Sequence, residues 1–131
     1  MIVVDSNILA YLYLPGDFSV RAEALLEREP EWVAPPLWRS EFRNILLGYL
    51  RHGSLSFDQA LDIQQEAEDL LAQQEFAVDS RSVLELARDS GCSAYDCEFV
   101  ALAATLGVKL ATMDAQLLRS FPQIAIALPQ G

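Results

Sequence analysis

The chain returns again and again to one arrangement: a short apolar run that leads directly into a helical pattern. "IVV" at 2–4 runs into "SNILAYLYL", which Pro15-Gly16 stops. "WVA" at 32–34 precedes a helix opened by Pro35-Pro36, and "FAV" at 76–78 precedes one capped by Ser80. "KLAT" at 109–112 meets the turn Met113-Asp114, and "IAIAL" at 124–128 is a fifth run. Runs this short, with no polar alternation, suit strands buried on both faces. Joined by helices, they predict an α/β fold with a parallel sheet of four or five strands and helices on both faces. Right-handed crossovers leave few other topologies.

The helices are delimited by their ends. A second helix at about 19–29 turns Ala22, Leu25 and Leu26 inward and Arg21, Glu23, Glu27 and Arg28 outward. Proline at a first helical position loses no amide bond, so Pro35-Pro36 starts a long helix that runs to about His52 and stops at Gly53. Ser56 and Gln59 have capping-box spacing ahead of the stripe Ala60, Ile63, Ala67, Leu70 and Leu71. Gly91 ends the helix that Ser80 begins, and Gly107 ends "AYDCEFVALAATL", which Ser93 caps. No repeat, low-complexity tract or linker divides the 131 residues, a length that suits one domain, 1–131.

A hydrophobic content of 52% excludes disorder. The longest uncharged stretches, 6–16, 99–108 and 120–131, all fall short of the roughly 18 apolar residues of a membrane span. No basic region precedes the short apolar start, so no signal peptide is read, and a soluble, cytoplasmic protein without a membrane is expected. Cys92 and Cys97 make neither a disulfide framework nor a zinc pattern, and read as reduced thiols. The net charge of −10 argues against broad electrostatic binding of nucleic acid. It leaves room for a basic protein partner, or for an acidic pocket that gathers divalent cations.

In parallel sheets of this kind, ligands bind outside the carboxyl ends of the strands. Asp5 closes the first strand and Asp114 lies just past the fourth. Asp96 falls in the first turn of its helix, and Glu41 in the second turn of the helix after the second strand. Taken singly, Asp5 reads as a helix cap, Asp96 as a capping-box acid, Asp114 as a turn residue and Glu41 as a solvated acid. Together at one sheet edge the four would repel one another, raising some pKa values at a cost in stability. Mg²⁺ or Mn²⁺ removes that cost, and an oxygen-only carboxylate cluster suits one or two such ions acting on phosphate esters. His52, the lone histidine, sits at a helix end where its charge would suit the dipole, with no catalytic role assigned.

With those acids in order, the chain resembles the PIN domain, the ribonuclease module of VapC-type toxins in toxin–antitoxin pairs. The likeness is carried by "IVVDSNILAYL", the Pro-Pro…Glu41 helix and "SAYDCEFVALAATLGVKLATMD", and it spans essentially the whole chain. It implies a metal-dependent endoribonuclease whose acids correspond to Asp5, Glu41, Asp96 and Asp114, with products bearing 5′-phosphate and 3′-hydroxyl ends. The polar residue after the first Asp corresponds to Asn7 or Ser6, and the hydroxyl of the Thr-x-Asp motif to Thr112, which would orient a carboxylate. Many relatives carry another acid soon after the last Asp, where this chain has Gln116, Leu117 and Leu118. Glu98, two residues past Asp96 on a helix, points elsewhere and reads as a surface acid.

An acidic protein needs local cations to hold an RNA substrate, and Arg39 and Arg43 beside Glu41 are the candidates; salt-bridging to nearby acids is their plain alternative. The resemblance also implies a cognate antitoxin whose peptide packs over the first helices. "ILAYLYL" with Trp38, Leu46, Leu47 and Leu50 offers apolar surface for it, and equally for the core or a homodimer. A rival reading is therefore a weakly active or inactive protein-binding module of the same fold. A phosphotransfer fold fits less well: a haloacid-dehalogenase-like phosphatase wants a second Asp where Asn7 stands, and a receiver domain wants a lysine after the strand that Lys109 precedes.

Overall fold

The computed structural model describes residues 1–130. In chain order it contains β1 (Ile2–Val4), α1 (Ser6–Tyr13), α2 (Ser19–Arg28), β2 (Trp32–Val33), α3 (Trp38–Arg51) and α4 (Phe57–Leu70). Then follow α5 (Ser80–Ser90), α6 (Ala94–Leu106), β3 (Leu110–Ala111), α7 (Ala115–Ser120) and β4 (Ala125–Ile126). The sheet is four-stranded and all parallel, in the order β2-β1-β3-β4. Val3 and Val4 in its centre are fully buried.

That order reverses direction at β1. The chain first moves to β2 on one side, then crosses back to place β3 on the other. Right-handed crossovers put α1 and α2 on one face and α6, which packs against β1 and β3, on the opposite face. The carboxyl ends of β1 and β3 thus flank the topological switch point, where such sheets open a crevice.

The helix boundaries follow local chemistry. The capping box of α4 is complete: Gln59 N–H donates to Ser56 Oγ at 3.1 Å and Ser56 N–H to Gln59 Oε1 at 2.8 Å. Gly91 and Gly107 end α5 and α6 at φ of 78° and 69°, the left-handed region where a Cβ is strained. Two boundaries differ from the sequence reading. Asp79, not Ser80, caps α5, its carboxylate accepting from Ser82 N–H at 3.0 Å. Helix α3 starts at Trp38 because Pro35 and Pro36 first form a tight turn, their carbonyls accepting from Trp38 and Arg39 N–H.

The larger departure is "FAV", expected as a strand. Backbone pairing there is limited to one parallel bridge, Ala34 with Glu75, and Phe76 and Ala77 are exposed. Side chains hold the segment instead. Arg39 grips Glu75 through Nε at 2.6 Å and Nη2 at 3.0 Å, and Trp38 Nε1 donates to the same carboxylate at 2.6 Å. Arg39 also reaches Glu68 on α4 at 3.0 Å. Of the apolar residues weighed as docking surface, Ile8, Leu9, Ala10, Trp38 and Leu46 belong to the core. Cys92 and Cys97 are buried free thiols, and no described helix is long and apolar enough to cross a membrane.

Because Trp38 is fully buried, Glu75→Ala strands its indole N–H and frees Arg39. Urea denaturation is expected to register a loss of about 2 kcal/mol, the scale of a hydrogen bond to a charged group together with an unmet donor. A loss below about 0.5 kcal/mol would mean that the segment is held by something else.

Candidate active site

A cleft of about 430 Å³ opens at the switch point and is lined by Asp5, Asn7, Glu41, Asp96 and Asp114. All four sequence-picked acids reach it, from four separate elements. Asp5 follows β1, Asp96 stands in the first turn of α6, and Asp114 caps α7. Glu41 stands in the first turn of α3, not the second as expected, because that helix starts only at Trp38. Their depth is graded: Asp5 is buried, Glu41 and Asp96 are half-buried, and Asp114 is exposed at the mouth.

Asp5 serves structure and cleft at once. One oxygen caps α1, accepting from Ile8 N–H at 3.1 Å, while the other accepts from Thr112 Oγ1 at 2.5 Å. Thr112 is fully buried, and the same hydroxyl oxygen accepts from Asp114 N–H at 3.0 Å. A single threonine thereby couples the end of β1 to the turn that carries Asp114. Asp114 likewise caps its helix, accepting from Leu117 N–H at 3.0 Å. The Asp96 N–H donates to Ser93 Oγ at 3.0 Å, which leaves the Asp96 carboxylate to the cleft.

Electrostatics in the cleft run one way. Burial pushes the Asp5 carboxyl up to about 6; the bonds from Thr112 and Ile8 oppose the rise, and Asp96 and Glu41 add to it. Burial also raises Glu41, with Asp96 and Glu98 contributing. Asp96 is raised by burial and then by Asp114. Among the described residues no lysine or arginine lines the cleft or forms an ion pair with any of the four acids.

The remaining sequence candidates divide. Asn7 lines the cleft, whereas its neighbour Ser6 is buried and donates to Glu41 Oε1 at 2.7 Å, tying α1 to α3. Arg39 is taken up by Glu68 and Glu75 and does not line the cleft. Arg43 lines a separate apolar groove between α3 and α4. Glu98 stands outside the cleft, though its charge reaches Glu41. Sequence reasoning passed over Ser40, Asn44 and Tyr95, all of which line it. Helical spacing from Glu41 exposes Asn44 as a neighbour at i+3; nothing comparable marks Tyr95.

The donor set is hard oxygen only, which fits Mg²⁺ or Mn²⁺ and not a softer metal. Mutual repulsion without a protein cation is the cost a divalent ion would relieve. Among the described residues no three His, Cys, Asp or Glu side chains stand close enough to enclose an ion. The residues therefore fit an ion that keeps most of its waters and takes one or two carboxylates directly, as Mg²⁺ prefers, and do not form a preformed cage.

A family model described as PIN domain matches residues 2–122. The chain belongs to the PIN domain family. PIN domains are typically metal-dependent. Over 126 residues the chain is 32% identical to Ribonuclease VapC3 of Pyrobaculum aerophilum, covering 94% of this chain and 96% of that protein. Two solved structures share the fold. PAE2754 from Pyrobaculum aerophilum has a TM-score of 0.77 at 20% identity, over 96% of this chain and 89% of that one. A toxin-antitoxin complex from Klebsiella pneumoniae has a TM-score of 0.68 at 16% identity, over 96% of both chains.

The raised Asp5 has a consequence for stability. Its folded pKa of about 6 lies above the ordinary 3.8, so the folded chain binds that proton more tightly than the unfolded chain. Ionised Asp5 thus costs stability above about pH 6, and the cost fades as pH falls toward 3.8. Asp5→Asn keeps an oxygen to cap α1. Its amide nitrogen cannot accept from Thr112 Oγ1 as the carboxylate does, a loss that does not depend on pH. In EDTA its stability relative to wild type is therefore expected to be up to about 3 kcal/mol better at pH 8 than at pH 4. Denaturant midpoints at the two pH values check this; a stability difference between variant and wild type that is the same at both would overturn it.

Proposed function

We propose that this PIN domain is a metal-dependent endoribonuclease that hydrolyses RNA phosphodiesters, acting as the toxin of a toxin–antitoxin pair. The observation that carries the reading is the cluster of four carboxylates, from four elements, facing one cleft with no cation to balance them. A structural network of caps does not require such convergence, and it makes the metal-free fold less stable.

Asp5, Asp96, Asp114 and Glu41 would hold Mg²⁺ or Mn²⁺, one or two of them directly and the others through its waters. When bound, the ion supplies neutralisation of charge on the phosphoryl oxygens and acidifies water. The chain's own contribution is to fix the carboxylates. Thr112 and Ile8 N–H hold both oxygens of Asp5, so that only a narrow range of orientations remains. Ser6 holds one oxygen of Glu41 and leaves the other to the cleft. Leu37, Ile45, Phe99 and Leu117 give the cleft apolar walls, which limit water and strengthen the electrostatics inside. Arg39 is committed to its glutamates, and Arg43 remains the nearest cation along α3 for an RNA strand leaving the cleft.

An antitoxin partner is supported by the groove between α3 and α4. Leu47, Leu50, Phe57 and Leu61 line it, with Phe57 and Leu61 well exposed, and it shares Ser40 and Asn44 with the cleft. A peptide seated there would reach the acids directly, and the Klebsiella pneumoniae neighbour is a toxin-antitoxin complex.

The test is RNA cleavage with Mg²⁺ or Mn²⁺, with EDTA, and with Asp5→Asn and Asp96→Asn, each variant checked for folding by circular dichroism. EDTA is expected to abolish cleavage, and each substitution to lower it about a hundredfold or more. Cleavage that survives EDTA or both substitutions would sink the metal-nuclease reading. Absence of cleavage on diverse RNAs, alongside measurable metal binding, would favour the protein-binding module.

A further inference from the structure

Tyr95 is the second residue of α6, directly before Asp96, and it lines the acid cleft while 64% exposed. The cleft's other aromatic residue, Phe99, is only 1% exposed and belongs to the core. Among the described residues the aromatic pairs are Tyr11–Phe18, Tyr13–Phe42 and Trp38–Phe42, so the Tyr95 ring stacks on none. Among the described residues its hydroxyl has no hydrogen-bond partner. The turn that Ser93 caps, and that sets Asp96, also sets the backbone of Tyr95 beside the cleft.

The cleft presents an anionic chain with carboxylates and no basic side chain. Ion pairs with phosphate, the usual source of nucleic-acid affinity, therefore cannot come from its walls, which offer only neutral donors such as Asn7, Ser40 and Asn44. Stacking on an aromatic face needs no positive charge, because every base has a π-face. We infer that Tyr95 is a substrate-binding residue on which the base of an unpaired nucleotide beside the scissile phosphate stacks. This inference rests on the ribonuclease reading. It restricts the substrate to single-stranded RNA or a loop, since bases inside a duplex are already stacked on their neighbours.

The experiment measures cleavage kinetics and, by fluorescence anisotropy with Mn²⁺, binding of a single-stranded oligoribonucleotide. Companion oligonucleotides carry one abasic residue on either side of the cut, and a duplex of the same sequence serves as comparison. Tyr95→Ala is expected to raise KM and Kd between about fivefold and a hundredfold, with a much smaller effect on kcat. Tyr95→Trp should recover the affinity. Wild type should discriminate against one of the abasic strands and against the duplex, and Tyr95→Ala should not. The ring is exposed, so the fold should tolerate the change, and the tryptophan variant and abasic strands report on stacking if it does not. The two readings fail separately. Cleavage indifferent to Tyr95→Ala overturns stacking and assigns the ring to something other than RNA. Binding lost in Tyr95→Ala without any cleavage by wild type leaves stacking standing and overturns the nuclease. Neither cleavage nor binding by wild type overturns both.

Discussion

A buried carboxylate held at both oxygens, Asp5 between Ile8 N–H and Thr112 Oγ1, ties the first strand, the first helix and the third strand together at one point. The parallel pairing of β1 with β3 sets the distance across which that bond must reach, and Thr112 passes the constraint on to the backbone of Asp114. Each of these groups is ordinary by itself: a cap, a buried hydroxyl, a turn amide. Their combination fixes a charged group where burial resists the charge. The fold accepts that opposition because the hydrogen bonds offset part of the desolvation, and the remaining imbalance is what a divalent ion would relieve.

The same logic explains where the few basic residues went. With 9 Lys and Arg against 19 Asp and Glu, any ion pair made for structure removes a cation from other uses. Arg39 bridges Glu68 on α4 and Glu75 beyond it, and so fastens α4 and the segment after it to α3. An arginine two residues from Glu41 looks in the sequence like a phosphate ligand. In three dimensions the glutamates that hold it are 29 and 36 residues away along the chain. With no basic side chain among its lining residues, the cleft keeps a negative field that would favour a divalent ion and oppose an anionic strand.

Much of this was legible in the sequence because it is local. Caps, αL glycines and the apolar runs each declare themselves within four or five residues, and the acids were found because they sit at fixed offsets from those signals. "FAV" misled because an apolar run states only that burial suits it, not that a neighbour offers a free edge. Here β2 is two residues long, and the pairing beyond it stops after one bridge, with side chains completing the attachment. The partners of Arg39 and Ser6, and the place of Tyr95, were hidden for a related reason: they depend on which distant element lies opposite, and one sequence does not display that.

Asp5 is a helix cap and a cleft residue at once. A helix cap places a carboxylate oxygen over backbone N–H groups, which fixes its orientation and leaves its second oxygen free for another partner. Asp114 repeats the arrangement at α7. Helix N-termini at the carboxyl ends of parallel strands are therefore a means of holding acids rigidly around a crevice, with the positive end of each helix easing the charge. Burial then grades them, from Asp5 at the bottom to Asp114 at the mouth, so that the deepest acid is the one most in need of a counter-ion and the outermost the freest to adjust. A cleft built this way has no counter-ion in the chain, and any cation that balances it would come from solution.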